Sequence, residues 1–383
     1  MADTIYTDAT ATHVPAAPNL HALDVAIFDA NGDGINDVVL AVEHGVNRLY
    51  LNDGTGRLTY VEGALGRGAY DSEHVLAVDM NADGILDLVF VAEDDFNHQF
   101  FLGDGTGGFQ DVSDRLPARS EGNGLAIGDV NGDGLPDIVV GNSAERRGSV
   151  ARNFLWLNDP DAPGTFIDVS QTNLPDHSEG TQDIALADLN GDGHLDMVVA
   201  NQTPPNRILL NDGTGVFSDA TDRMEQPVEM ETREVHVFDA TGNGHNDIVF
   251  FNLTSNNRDW DKDPQTRLLI NDGTGHFTDE TDSLPQHRFS SWGGKVIDFD
   301  DDGALDLIVG AIDVPGFVPQ QVRAWRNDAT GAFEDVTADV IPAETIGRSW
   351  SMDAGDLDGD GVDDLFIGQW GTQARMLLTG DGE

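Results

Sequence analysis

Seven times along this chain, oxygen-bearing side chains recur at positions 1, 3, 5 and 9 of a loop whose sixth residue is always glycine. The copies are Asp29, Asn31, Asp33 and Asp37; Asp79, Asn81, Asp83 and Asp87; Asp129, Asn131, Asp133 and Asp137; and Asp188, Asn190, Asp192 and Asp196. They continue with Asp239, Thr241, Asn243 and Asp247; Asp298, Asp300, Asp302 and Asp306; and Asp356, Asp358, Asp360 and Asp364. Carboxylates this close repel one another unless something positive sits among them. Hard oxygens at this density suit Ca2+, which takes about 6–8 oxygen ligands in flexible geometry. Position 7 varies freely, as expected of a residue offering only its backbone carbonyl. An EF-hand would need a glutamate at position 12 and flanking helices, so that reading fails. Asp, Asn and Gly also make ordinary turns, but turns do not demand four acceptors in fixed register seven times. We therefore expect six to seven structural Ca2+ sites. The fifth copy, with only two carboxylates, should be weak or empty, and the last two, with four each, tightest.

The first aspartates fall at 29, 79, 129, 188, 239, 298 and 356, a period of roughly 50 to 60 residues that signals a solenoid or propeller. A second motif follows each of five loops: "YLNDGTGRL", "FLGDGTGGF", "LLNDGTGVF", "LINDGTGHF" and "WRNDATGAF". An apolar strand entering Asn-Asp-Gly-Thr-Gly and leaving through an aromatic is a hairpin signal. A further short strand, such as "FQDVS" or "FTDET", comes next. Each repeat thus predicts four antiparallel strands, and seven of them predict an all-β, seven-bladed β-propeller. No segment has helical periodicity. The expected blades are 21–61, 72–113, 122–170, 181–221, 232–281, 291–337, and 350–382 completed by 4–10, all in one domain. The seventh repeat stops before its last strand, and "IYTDAT" (Ile5 to Thr10) supplies that pattern at the front. The N-terminal strand is expected to close the ring and remove an open edge.

A sevenfold strand, Asp-x-Asx-x-Asp-Gly-x-x-Asp, strand pattern resembles the FG-GAP/VCBS repeats of integrin α-subunit heads, seven-bladed fungal lectins and many secreted bacterial proteins. The likeness spans essentially the whole chain, with "GTGxF" standing where the literal Phe-Gly…Gly-Ala-Pro signature would be. It implies the propeller, calcium, and an extracellular, periplasmic or cell-surface home. It leaves function open, since this scaffold hosts adhesion, sugar binding and some lyases.

The loops opposite the Asp-rich face vary most: "GNSAERRGSVARN", "NLTSNNRDWDKDPQTR" and "AIDVPGFVPQQVR" against the short "EHGVNR". Unequal loops on a rigid scaffold are the usual place for recognition. Seven residues before each first aspartate the side chain is always small, from Ala22 to Ser349, which suggests crowding near the axis. Six before, the ring reads Leu23, Glu73, Asn123, Gln182, Arg233, Trp292 and Trp350; eight before, it includes His21, Asp71 and Arg348. These positions should surround the channel mouth on the face away from the Asp loops. Glu73, Asn123, Gln182, Arg233, Trp292, Arg348 and Trp350 form a sugar-like lining, with flat faces for stacking and fixed polar groups for hydroxyls. The bland alternative is that strand-start residues cap the blade and meet water. Three before the aspartate, His236, Lys295 and Asp353 replace small or apolar residues. They read as an ion pair in a wet channel or, more sharply, as the base and orienting acid of a polysaccharide lyase.

Composition narrows the partners. The formal charge is −49, from 69 acidic and 20 basic residues, and such a surface repels phosphate backbones, excluding nucleic acid. No run approaches the ~20 apolar residues of a spanning helix, so membrane insertion is not expected, and no signal peptide is visible at the start. Cysteine is absent, ruling out disulfides and thiolate chemistry. No Ser-His-Asp or Cys-His motif is readable. The expected function is binding of a carbohydrate or cell-surface glycan. A polysaccharide lyase or hydrolase and integrin-like adhesion to a protein partner are the alternatives.

Overall fold

In the computed structural model, described residues are 4–143, 152–203, 205–226, 228–254, 263–313 and 316–380. Parts of the three long loops singled out above, 144–151, 255–262 and 314–315, lie outside them. Among the described residues, seven sheets have four antiparallel strands each, and one small sheet has three. Blade one runs outward through Ala22–Phe28, Asp37–Val42, Arg48–Asn52 and Leu58–Tyr60. The other six blades begin with the innermost strands Ser72–Val78, Gly122–Gly128, Thr181–Ala187, Glu231–Phe238, Gly294–Ile297 and Ser349–Gly355. These inner strands pack side by side in a closed ring, with blade seven returning to blade one. Tyr6–Asp8 pairs with Arg375–Thr379 and completes blade seven, as the sequence pattern expects. The propeller is therefore seven-bladed, and the chain's two ends meet in one sheet.

Alternation decides which side chains fill the core. Second strands such as Asp37–Val42 are buried throughout, because both of their faces meet a neighbouring blade. Apolar side chains from adjacent blades interlock there, as Val25, Leu40 and Tyr50 of blade one do with Phe366 and Met376 of blade seven. Burying each such side chain is worth about 1.5–3 kcal/mol.

The polar motifs pin these layers. In "FIDVS", Asp168 accepts the amide proton of Ser170 at 3.0 Å, and the Ser170 hydroxyl accepts the amide proton of Leu155 at 2.9 Å. Asp335 and Thr337 do the same for Ala324. Single turns of helix follow at Thr10–His13, Ser170–Asn173 and Thr337–Val340, too short to carry a sequence period. The hairpin asparagine reaches across blades. Asn52 Nδ2 donates to the carbonyl of Leu357 in blade seven at 2.7 Å, and Asn211 Nδ2 to that of Val130 in blade three at 2.7 Å. Asp loops and hairpins consequently share one face of the ring.

The small residues seven before each aspartate lie between blades, not against the axis. Asn47 Nδ2 donates to Ser72 Oγ at 3.0 Å, and Asn206 Nδ2 to Thr232 Oγ1 at 2.8 Å. Crowding there comes from the neighbouring blade's loop. On the face away from the Asp loops Ile312–Asp313, Val318–Gln321 and Ile346–Gly347 form the three-stranded sheet, joining a blade-six loop to the approach to blade seven.

Candidate functional site

Each Asp-rich loop is closed by its first aspartate. In blade one Asp29 Oδ1 accepts the amide protons of Gly32 and Asp33 at 2.7 and 3.2 Å, and Oδ2 that of Gly34 at 2.8 Å. Gly34 has φ +84°, which glycine adopts at least cost and which accounts for glycine at position 6 in every copy. The amide of that glycine reaches the first aspartate likewise in the other six loops.

The position-9 aspartate is turned inward. Asp37 Oδ2 accepts the amide proton of Ala30 at 3.0 Å and Oδ1 that of Asn52 at 2.8 Å. Asp137 holds Val130 and Asn158 in the same way, and Asp306 holds Phe299 and Asn327. These side chains tie the loop to the third strand whatever else they do. Burial pushes Asp37 up to about 6 and Asp137 and Asp306 up to about 7; amide hydrogen bonds oppose the rise and neighbouring loop aspartates add to it.

Positions 1, 3 and 5 converge. The carboxylate oxygens of Asp298, Asp300 and Asp302 lie within 4.8 Å of one another, as do those of Asp356, Asp358 and Asp360. Asp300 Oδ1 is buried without a hydrogen-bond donor, while Arg326 Nε approaches Oδ2 at 2.5 Å. In blades one to four the third position is asparagine: Asn31 Oδ1 accepts the amide proton of Asp33 at 2.9 Å. Blade five gathers Asp239 and Asn243, whose oxygens accept loop amides, and Thr241, whose hydroxyl has no partner. An all-oxygen, carboxylate-rich donor set with an orphaned buried oxygen fits a hard divalent cation.

On the opposite face a second constellation forms. A cavity of about 240 Å3 is lined by every residue of the ring six before the aspartate: Leu23, Glu73, Asn123, Gln182, Arg233, Trp292 and Trp350. The strand register explains the convergence. Ala22 pairs with Val42 but Asp24 with Ala41, leaving Leu23 as an extra residue. The same irregularity falls at Glu73, Asn123, Gln182 and Arg233, and between Ser349 and Met352 in blade seven. A bulge re-aims the extra side chain, here into the channel mouth.

The mouth has two unlike walls. Trp292 stacks on Trp350 with centroids 3.8 Å apart, Trp370 lies 6.0 Å beyond, and Phe317 packs against Trp292 and Trp370. Arg348 does not line the cavity: its Nε donates to the Phe317 carbonyl at 2.8 Å and its guanidinium lies over Trp370. The other wall carries Glu43, Glu73 and Glu93. Trp370 Nε1 and His21 Nδ1 both approach Glu43 Oε2 at 2.7 Å, and Asn123 Nδ2 donates to Glu93 at 2.9 Å. Burial holds Glu73 well above the usual carboxylate range, and the charges of Glu93, Asp71 and Glu43 push the same way. Asp71 also belongs to two acidic groupings at the rim, with Glu43 and His44 and with Glu93 and Asp94. The sequence reading missed Glu43, Glu93, Phe317 and Trp370, which arrive from the segments after the second strands, outside the aligned positions.

Deeper in the channel the ionisable side chains bind one another and the backbone. Lys295 Nζ donates to Asp353 Oδ1 at 2.6 Å while Asp353 Oδ2 accepts the amide proton of Ile27 at 2.8 Å. His236 Nε2 meets Glu234 Oε1 at 2.5 Å. Asp24, which the alignment did not single out, accepts the amide proton of Val75 at 2.9 Å, and Asp183 that of Val235 at 2.9 Å. Carboxylates of one blade, Asp353 among them, thus satisfy amides on the next inner strand.

Comparison with known proteins agrees with this architecture. The chain is 33% identical over 197 residues to cartilage acidic protein 1 of Xenopus tropicalis, covering 49% of this chain and 28% of that protein. It is 25% identical over 287 residues to a T-cell immunomodulatory protein homolog of Plasmodium yoelii yoelii, covering 70% of this chain and 38% of the relative. The matches thus span well under half the length of these relatives. Among solved structures, a chain of the mercury-soaked crystal structure of BBS1N in complex with ARL6DN superposes with a TM-score of 0.60 at 11% identity, covering 98% of this chain and 97% of that one. That likeness concerns the fold. Among the described residues no helix is long and apolar enough to cross a membrane. The FG-GAP-like repeat matches residues 29–90, 79–140, 143–199, 188–250, 239–309 and 310–367, so the chain belongs to the FG-GAP-like repeat family.

Proposed function

We propose that this chain is a calcium-stabilised binding propeller that takes a carbohydrate or cell-surface glycan at the channel mouth, outside the cell or at its surface. The observation that carries this reading is the convergence of the seven ring residues on one cavity, with a stacked tryptophan wall facing fixed amides and carboxylates. Apolar sugar faces stack on indoles, and hydroxyls take directed hydrogen bonds from groups such as Asn123 and Gln182. In the loops, Ca2+ would be held by the oxygens of positions 1, 3 and 5 with the position-7 carbonyl, backed by the position-9 aspartate. Its chemistry there is charge neutralisation of carboxylates that otherwise repel. Loops of this kind fill where free calcium is millimolar, which supports the extracellular or periplasmic setting.

The test is a glycan array in millimolar Ca2+ with wild type beside Trp350→Ala. Glycan binding lost in the variant, with calcium-dependent melting unchanged, is the expected result. Absence of any bound glycan would overturn it. A second reading, adhesion to a protein, is favoured by one feature: Val318 and Ile346 in the small sheet are 47% and 51% exposed. Binding that survives every competing sugar but fails in Val318→Asp would select it.

A further inference from the structure

We propose that the channel mouth is a cation-accepting site, receiving the ammonium group of an amino sugar between Glu73 and the indoles of Trp350 and Trp370. The inference rests on the carbohydrate reading and names the class of sugar. Glu73 is only 9% exposed, lines the cavity, and makes no hydrogen bond among the described residues. An apolar site would not leave such a carboxyl beside Glu43 and Glu93, whose charges already disfavour its ionisation. A ligand cation removes that conflict.

The resident cation Arg233 favours Glu73 ionisation but does not outweigh burial and the neighbouring carboxylates. Arg233 directs NH1 to Gln182, approaches Glu231 with NH2 at 3.5 Å, and lays its guanidinium over Trp292 with 5.2 Å to the centroid. It is committed to the far wall. The two walls meet where Trp370 Nε1 donates to Glu43, so a ligand there touches carboxylate and indole together. An ammonium group offers three donors to the carboxylates, and its charge is attracted to the indole faces. A neutral sugar's hydroxyl can donate to Glu73 but brings no charge to offset Glu43 and Glu93.

Isothermal titration in millimolar Ca2+ and about 0.15 M salt, where exposed charges are screened beyond about 8 Å, compares three probes. They are the glucosamine trisaccharide, its N-acetylated counterpart, and cadaverine as a non-sugar amine. Wild type, Glu73→Gln and Trp350→Ala are used, with the exposed Asp282→Asn as a control for the general negative field. The expected result is binding of the glucosamine trisaccharide, weakened about tenfold or more by N-acetylation and by Glu73→Gln, and unaffected by Asp282→Asn. Equal binding of both trisaccharides with Glu73→Gln silent overturns the ammonium assignment and leaves the carbohydrate reading standing. Cadaverine bound in a Glu73-dependent way while neither sugar binds keeps the cation site and overturns the carbohydrate reading. No binding of any probe overturns the inference, as does amine binding abolished by Asp282→Asn as fully as by Glu73→Gln.

Discussion

Tyr6 stands opposite Thr379 in antiparallel register, so the first strand of the chain is the outermost strand of the last blade. Tyr6 is fully buried, in the cluster that holds Ile367 and Leu377, and its hydroxyl donates to the Asp363 carbonyl at 3.3 Å. Tyr6→Ala should cost about 3–5 kcal/mol, read as a lower urea midpoint. Deleting residues 1–12 should abolish cooperative unfolding, because Arg375–Thr379 would become an open edge. An unchanged midpoint in the deletion would show that the ring does not depend on this closure.

Calcium can be separated from simple turn-making by one substitution read in two conditions. Asp360 in blade seven lies beside Asp356 and Asp358 and accepts the amide proton of Val362 at 2.8 Å, a bond that asparagine can keep. Asp360→Asn should lower the melting temperature in millimolar Ca2+ yet leave it equal or higher in chelator, since one repelling charge is gone. Chelation itself should destabilise the wild type by about 2.7 kcal/mol per site held at a hundred times its Kd. Equal losses with and without calcium would mean that Asp360 serves the turn alone.

Acid sensitivity should localise to buried histidines. His98 Nδ1 accepts the amide proton of Ala92 at 3.1 Å and Nε2 meets Ser120 Oγ at 3.0 Å. Burial holds its pKa down at about 4, with Arg119 adding to the effect. His287 is likewise held down at about 4, chiefly by burial. A folded pKa below the ordinary value gives stability that is whole above about pH 6.5 and drains as pH falls towards 4. For His98 that amounts to about 3 kcal/mol, at 1.4 kcal/mol per pKa unit. Blade one uses Asn47 in this place, accepting the Val42 amide and donating to Ser72. His98→Asn should therefore keep the fold and flatten the loss between pH 6.5 and 4. A stability difference from wild type that does not vary with pH would refute this.

Position 4 of the Asp loop offers a stabilising change. Gly32 occupies it in blade one with φ +77°, whereas Ala82 adopts φ +60° in blade two. An L side chain pays about 1–2 kcal/mol for that region, partly offset by glycine's greater freedom when unfolded. Ala82→Gly should gain up to about 1 kcal/mol in denaturant titration without altering calcium dependence. A loss would mean that the Cβ of Ala82 makes contacts worth more than its strain.

Strand number, blade number, closure by the first strand and the convergence of the Asp loops were legible in the sequence. Each is written in local chemistry repeated seven times: glycine at a left-handed turn, aspartate before a buried strand, and Asn-Asp-Gly at a hairpin. The ring of Leu23, Glu73, Asn123, Gln182, Arg233, Trp292 and Trp350 was legible too, because alignment on the first aspartate preserves distance along one strand. What the alignment hid was the use of Asp24 and Asp183. Their partners, Val75 and Val235, sit on the next blade, and sequence spacing says nothing about an amide that faces sideways.

The amino-acid order alone determined the repeat, the all-β propeller and the acidic loop chemistry, since these depend on short-range geometry and on alternation along single strands. Tertiary structure decided the rest. It turned position 9 inward onto two amides, committed Lys295 and Asp353 to an ion pair and a strand contact, and brought Trp370 and Glu43 from blades seven and one into the same mouth. The physical reason is ring closure: residues more than 300 positions apart become neighbours only when the seventh blade meets the first.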